Sequence, residues 1–130
     1  MPHVGLKRTL TATALVIRLT GELDYAGADQ TASRLEQAAA AAPPPAVVVL
    51  DLTRVSYLSS AGLRVVQCFT AACADRAVRP RLAVAPGSIV QRVLGAVVPD
   101  PRVEVFGTVA EALRAQDRPR AEDRLRAVGE

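Results

Sequence analysis

The sequence is poor in the residues that most catalytic and metal sites use. It contains one histidine, two cysteines and no tryptophan. The histidine, His3, lies next to the N-terminus without a second metal ligand beside it, so we expect neither a positioned general base nor a zinc or iron site. Glycine-rich phosphate loops and the Gly-x-Ser-x-Gly elbow are also missing. We therefore expect no enzymatic activity, no metal and no cofactor.

Aromatic residues are scarce as well, and this bears on the basic part of the chain. The net charge is +3, and the excess lies in residues 51–101, which hold six arginines and three aspartates. A basic surface can attract nucleic acid. The chain has only two tyrosines and two phenylalanines for stacking on bases, and no nucleic-acid-binding motif. We expect no nucleic-acid partner.

Long apolar segments and cysteine pairs are also lacking. No run approaches the ~18–20 apolar residues of a membrane span, so we expect no membrane insertion. Lys7 and Arg8 are not followed by the apolar stretch of a signal peptide, which predicts a cytoplasmic protein. Cys68 and Cys73 lie on one predicted helix with side chains about 140° apart, so we expect two buried thiols without a disulfide.

The hydrophobic pattern predicts alternating strands and helices after an opening hairpin. The hairpin joins strands at 4–10 and 14–19, and residues 21–24 are expected to break the second strand. The further expected elements are strands at 47–51, 81–85 and 103–106 and helices at 25–42, 60–75, 89–97 and 108–116. This order predicts an α/β fold with a mixed, mainly parallel sheet flanked by helices. Strand 47–51 is apolar on both faces and should be central.

The ends of the chain differ in character. We assign residues 1–116 to one domain, because half of the residues are hydrophobic and the length suffices for a core. Residues 117–130 alternate charges around Leu125 and Val128. They form either a solvated charged tail, which we favour, or a short docking helix.

The segment from Asp51 to Leu63 is the most informative one. Asp51 ends a buried apolar run, a short loop is expected, and Ser59 and Ser60 stand where a helix begins. Hydroxyls at that place can cap free backbone N–H groups, and the helix dipole favours an added anion. The sequence therefore predicts an exposed serine suited to an anionic switch.

Two motifs carry a family resemblance. Gly-Glu-Leu-Asp at 21–24 follows a strand, and Asp-Leu-Thr-Arg-Val-Ser-Tyr-Leu-Ser-Ser-Ala-Gly-Leu at 51–63 joins a strand to a helix. With the order of elements from 4 to 116, they resemble the STAS family and, within it, the bacterial anti-sigma factor antagonists. The resemblance implies a STAS-like fold and a binding protein that regulates transcription.

The resemblance also implies a phosphorylation switch. In that family an anti-sigma factor that is also a serine kinase phosphorylates a serine of an Asp-Ser-Ser/Thr-Gly tetrad. The unmodified antagonist binds the kinase and frees a sigma factor, and a PP2C-type phosphatase resets the phosphorylated form. Ser60 takes the phosphoacceptor position, and Gly62 that of the glycine. Ser59 replaces the usual aspartate, and Ala61 replaces the second serine or threonine, which removes one competing acceptor.

We expect the partner to contact one surface around this tetrad. The expected partner-binding residues are Glu22, Asp24, Ser59, Ser60, Gly62, Leu63 and Arg64. Several keep a structural alternative, and for Ser59 a mainly structural role is favoured. The others are Ser60 as a helix cap, Gly62 as a packing residue, Asp24 as a turn carboxylate and Arg64 as a solvated arginine. The alternative function is that of a STAS module in another system, such as a lipid-transport accessory subunit or a signalling scaffold, without a phosphorylation switch.

Overall fold

The computed structural model describes residues 4–40 and 46–115. Within these ranges five strands form one sheet in the order β1-β2-β3-β4-β5. The strands are β1 (Val4–Leu10), β2 (Ala14–Leu23), β3 (Val47–Leu58), β4 (Arg79–Ala83) and β5 (Glu104–Phe106). The helices are α1 (Ala28–Ala40), α2 (Ser60–Asp75), α3 (Ile89–Gly95) and α4 (Val109–Arg114), with a 3-10 turn at Tyr25–Gly27.

The sheet is mixed and mainly parallel, as the sequence predicted. β1 and β2 form the antiparallel hairpin, closed by a hydrogen bond from the Thr11 N–H to the Ala14 carbonyl of 2.8 Å, and the other neighbours pair in parallel. β3 lies in the middle of the sheet, and its residues from Val47 to Leu50 are buried. The central position predicted for this strand is confirmed.

Two cores cover the two faces of β3. Val48 and Leu50 belong to the main core, which also contains buried residues of α1, α2 and α3. Val47 and Val49 face a smaller core on the opposite side, where Ala112 of α4 is buried. Side chains alternate along a strand, so an uninterrupted apolar run requires cover on both faces.

β3 continues through residues 52–58, where we expected a loop. Leu52, Val55 and Leu58 are buried at every third position, which does not match the two-residue period of a regular strand. The reason is that β3 has one extra residue relative to β2 at two places, between Asp51 and Arg54 and after Val55. Each bulge adds a residue, so the two-residue alternation of buried and exposed side chains cannot be recognised in the sequence.

Side chains and a glycine stabilise these bulges. The buried Asp51 accepts hydrogen bonds at Oδ1 from the Thr53 N–H (2.9 Å) and hydroxyl (2.6 Å), and Oδ2 accepts one from Arg18 Nε (3.1 Å). Gly21 has φ of 103°, a conformation that glycine adopts without strain. β2 therefore runs on to Leu23, and the expectation that residues 21–24 break it was wrong.

Other boundaries differ by up to three residues, and the helix expected from residue 25 starts as the turn Tyr25–Gly27, with α1 beginning at Ala28. The strand expected at 81–85 is β4 at Arg79–Ala83, and the helix expected at 89–97 ends at Gly95. The expected tail at 117–130 and His3 lie outside the described residues. In the part of the chain that the structure describes, no helix is long and apolar enough to cross a membrane.

A buried arginine joins α4 to the sheet. The side chain of Arg81 donates from Nη1 to the Ala112 carbonyl (2.9 Å), and Nε lies 3.6 Å from Glu104 Oε1. Its guanidinium also lies 5.9 Å from the centre of the Phe106 ring. A cation near the end of α4 interacts favourably with the helix dipole. Part of the basic excess of residues 51–101 is thus used inside the fold and not presented to a partner.

The two cysteines are free, but they differ in exposure. Cys73 is buried as expected, whereas Cys68 is exposed, so the prediction of two buried thiols was wrong for Cys68. Only one side of α2 faces the sheet, and Cys73 lies on that side. Cys68 is five positions earlier, a rotation of about 140° around the helix, so it lies near the solvent side. Burial raises the pKa of the Cys73 thiol to about 11, and the nearby Arg76 offsets only part of this rise.

This difference predicts selective alkylation. At pH 8, well below a pKa of about 11, the Cys73 thiol stays protonated and unreactive as well as buried. Iodoacetamide should therefore label the native protein at Cys68 only, and both thiols should react in concentrated urea. Mass spectrometry of the intact protein counts the labels, and native Cys68→Ser protein is the control. Rapid labelling of that control would contradict the buried position of Cys73.

Candidate functional site

The two sequence motifs meet at one end of the sheet. Leu23 at the end of β2 pairs with Leu58 at the end of β3. The chain leaves β2 through the turn Tyr25–Gly27 and leaves β3 through Ser59 into α2, and the turn contacts α2. Carboxyl ends of parallel strands lie at the same edge of a sheet, which is why motifs far apart in sequence become neighbours.

Ser59 caps α2. Its Oγ accepts a hydrogen bond from the Gly62 N–H (3.1 Å) and donates one to the Leu23 carbonyl (3.2 Å), which also accepts the Ser59 N–H at 2.9 Å. The backbone of Ser59 is extended, with φ −77° and ψ 173°, as an N-cap residue requires. The N-cap of α2 is therefore Ser59. The interpretation of Ser60 as the helix cap was wrong.

Ser60 is the first residue of α2 and is exposed. Its hydroxyl makes no hydrogen bond to any other described residue, in contrast to that of Ser59. The backbone N–H groups of a first helical turn and the positive end of the helix dipole favour negative charge at this place. The hydroxyl is thus accessible, and a charge added to it suits the helix.

Gly62 is buried against β2 and β3. A Cβ atom at this position would contact the Leu23 carbonyl oxygen and would lie 2.8 Å from Leu23 Cβ and 3.0 Å from Leu58 Cδ1. These separations are shorter than ordinary van der Waals contacts. Glycine is therefore needed here for packing, which favours the packing alternative that the sequence left open. Leu63 is half-buried and packs against the main core.

The acidic residues of the first motif have different surroundings. Asp24 Oδ1 accepts hydrogen bonds from the N–H groups of Ala26 (3.1 Å) and Gly27 (3.4 Å), so this carboxylate caps the turn after β2. Glu22 is exposed and lies opposite Tyr57 in the parallel pair of β2 and β3. Arg64 is exposed on α2 and forms no ion pair with another described residue.

The surface around Ser60 also includes two residues that we did not select from the sequence. Tyr25 is 86% exposed and follows Asp24 directly, and Tyr57 is 45% exposed. The position of Tyr25 next to the first motif was a signal available in the sequence. Tyr57 was hidden by the bulges of β3, since an irregular strand period does not reveal which side chains are exposed.

The cap geometry predicts a stability difference between the adjacent serines. Ser59→Ala removes both hydrogen bonds of the cap and should lower the free energy of unfolding by ~1–2 kcal/mol. Ser60→Ala removes a hydroxyl without a partner in the described fold and should change it by less than about 0.5 kcal/mol. Urea denaturation followed by circular dichroism measures both. Equal losses, or a larger loss for Ser60→Ala, would show that the cap is assigned to the wrong serine.

Comparison with known structures shows the same fold. An anti-sigma factor antagonist from Mycobacterium paratuberculosis is 17% identical, with a TM-score of 0.68 over 85% of this chain and 92% of that one. Unphosphorylated SpoIIAA, an anti-sigma factor antagonist, is 23% identical, with a TM-score of 0.65 over 96% and 97%. A sulfate transporter family protein from Wolinella succinogenes is 18% identical, with a TM-score of 0.56 over 81% and 85%.

The family assignment comes from the sequence comparison. No curated protein matches the chain. The model of the STAS domain matches residues 6–112, which include every strand and helix described above in whole or in part. The hairpin, the central strand and the serine-capped helix all lie within the matched region. This chain belongs to the STAS domain family.

Proposed function

We propose that this chain is an anti-sigma factor antagonist. In its unmodified form it binds an anti-sigma serine kinase and releases a sigma factor, and phosphorylation of Ser60 abolishes that binding. The observation that carries the proposal is the exposed Ser60 hydroxyl, free of hydrogen bonds within the described residues, beside a serine that caps the helix. The likeness to structures of anti-sigma factor antagonists supports it.

The switch acts at the interface and not through the fold. A phosphate adds a charge of about −1.5 to −2 at neutral pH. At the first residue of a 16-residue helix this charge interacts favourably with the dipole, so the free protein keeps its structure. A kinase surface that fits a neutral hydroxyl would instead have to bury an unpaired charge. A loss of about 3 kcal/mol there weakens binding more than about a hundredfold.

The two departures from the family tetrad are compatible with this switch. An aspartate at the position of Ser59 would be an equally good N-cap, so the replacement keeps the start of α2. Ser59 uses its hydroxyl both as a donor and as an acceptor inside the fold. Ala61 has no hydroxyl. Ser60 is therefore the single accessible acceptor of the tetrad, and a PP2C-type phosphatase would act on that residue alone.

Displacement of a sigma factor tests the proposal. The purified chain is added to complexes of sigma factors with the ATP-binding anti-sigma kinases encoded in the same genome, and free sigma factor is measured by size-exclusion chromatography. Unmodified protein should release a sigma factor from at least one complex, and Ser60→Glu protein should release none. If wild-type protein binds none of these kinases, the proposal is wrong.

A second candidate function has some support. The fold is shared with a sulfate transporter family protein, so the chain could be a STAS module of another system without a phosphorylation switch. In that case Ser60→Glu would bind the same partners as wild type. Affinity purification from native lysate with both proteins distinguishes the two functions, because only the antagonist loses a kinase partner on substitution.

A further inference from the structure

The two tyrosines of the chain lie at the same end of the molecule as Ser60. Tyr57 precedes Ser60 by three residues, which places their Cα atoms within about 11 Å even in an extended chain. Tyr25 follows Leu23 by two residues, and the Leu23 carbonyl accepts the Ser59 N–H at 2.9 Å. Both residues therefore lie near the start of α2 along the backbone.

Their exposure contrasts with that of the phenylalanines. Tyr25 and Tyr57 are 86% and 45% exposed. Phe69 is buried in the main core, and Phe106 is half-buried against the smaller one. Neither tyrosine hydroxyl forms a hydrogen bond to another described residue. Tyr57 is partly buried, but both side chains leave apolar surface exposed. Aromatic residues that anchor protein interfaces have this character.

An interface of ordinary size around Ser60 extends far enough to include both tyrosines. Phosphoryl transfer requires the γ-phosphate of ATP to reach Ser60 Oγ, so the kinase surface surrounds that atom. A stable interface buries roughly 800 Å² on each partner, which corresponds to a patch roughly 30 Å across. Tyr25 and Tyr57 lie well inside a patch of that size centred on Ser60.

We propose that Tyr25 and Tyr57 are the aromatic anchors through which this surface binds the anti-sigma kinase. The inference rests on the proposed function and adds two contact residues to it. Glu22 lies opposite Tyr57 in the sheet, and Arg54 on β3 and Arg64 on α2 are exposed, so the same elements also carry charged groups. Apolar anchors inside a polar rim are the usual arrangement of a protein interface. They hold the kinase to the antagonist, whereas Ser60 carries the modification.

The surface fits a protein and not a small molecule. A cavity of about 390 Å³ lies between α1 and α2, but its lining, which follows α2 from Val65 to Cys73, includes neither Ser60 nor either tyrosine. The tyrosines project from a strand end and a turn, where they can enter pockets of a partner. We therefore assign the kinase itself, and not its nucleotide, as the group that contacts the rings.

Binding measurements with matched variants test the inference. The affinity of the purified anti-sigma kinase is measured by isothermal titration calorimetry for wild type, Tyr25→Ala, Tyr57→Ala and Ser60→Glu. Each tyrosine substitution should weaken binding at least about tenfold. Tyr25→Phe and Tyr57→Phe keep the ring and should bind within about threefold of wild type. Val98→Ala is the control. Val98 is 91% exposed and lies between α3 and β5, where the chain returns to the end of the sheet opposite Ser60.

The outcomes separate the inference from the proposed function. If Ser60→Glu loses binding while both tyrosine-to-alanine variants bind like wild type, the anchors are wrong and the proposed function stands. If Ser60→Glu binds like wild type, the switch is wrong, whereas weak binding of the tyrosine variants would still support the anchors. If the wild-type protein binds no anti-sigma kinase, both the tyrosine anchors and the proposed function are wrong. Circular dichroism confirms that each variant is folded.

Discussion

Incubation of the protein with its anti-sigma kinase and ATP should place a single phosphate on Ser60. The neighbouring hydroxyl of Ser59 is half-buried and engaged in two hydrogen bonds, so it would have to leave the helix cap to react. Ala61 offers no hydroxyl. Ser60 lies in the same helical turn, exposed and unbonded within the described fold. Mass spectrometry of peptides that contain residues 55–64 locates the phosphate.

Substitutions of Ser60 should separate folding from binding. Ser60→Ala should stay folded, bind the kinase and accept no phosphate. Ser60→Glu should also stay folded, since an acidic side chain in a first helical turn is favourable, but its Kd for the kinase should rise by more than about a hundredfold.

Ser59→Ala is the matched control for the acceptor assignment. Despite its weaker cap, it should still be phosphorylated at Ser60. Phosphate on Ser59 in the wild-type protein would show that the acceptor is assigned one residue too late. If no phosphate appears anywhere and Ser60→Glu binds like wild type, the chain does not use this switch.

Gly62→Ala should destabilise the protein by about 3 kcal/mol, near the upper end of the usual cost of overpacking. The new methyl group would contact the backbone carbonyl of Leu23, and a backbone atom of a paired strand cannot move aside as a flexible side chain can. The Leu23 carbonyl also accepts the Ser59 N–H and hydroxyl. A shift of this strand end would therefore disturb the cap as well. Urea denaturation gives the change in unfolding free energy.

Gly95→Ala is the control for this substitution. Gly95 is the last residue of α3, and a Cβ there has no neighbour within 4 Å. Alanine should leave the stability unchanged or raise it by up to about 1 kcal/mol. If Gly62→Ala is as stable as wild type but loses the kinase, the glycine serves contact with the partner and our packing assignment is wrong.

Part of this structure follows from local pattern alone. The continuous apolar run Val47–Leu50 predicts a covered central strand. The helical spacing after Ser60 predicts α2 from its first residue to its last. These inferences succeed because strand alternation and helical periodicity depend on residues close in sequence.

Contacts between distant segments decided the rest. Two bulges between β2 and β3 carry the strand to Leu58 and expose Tyr57, and they exist only when the two strands pair. The cap falls on Ser59 and not Ser60 because the Leu23 carbonyl, 36 residues earlier, accepts its hydroxyl. Gly62 is required by the same strand end.

The sequence by itself thus determined the order of elements, the central strand and the serine-bearing helix, since each is encoded by local periodicity. Only the tertiary structure decided which serine hydroxyl caps α2 and which has no hydrogen bond to another described residue. That choice depends on the register between two parallel strands, and register is a property of neither strand alone.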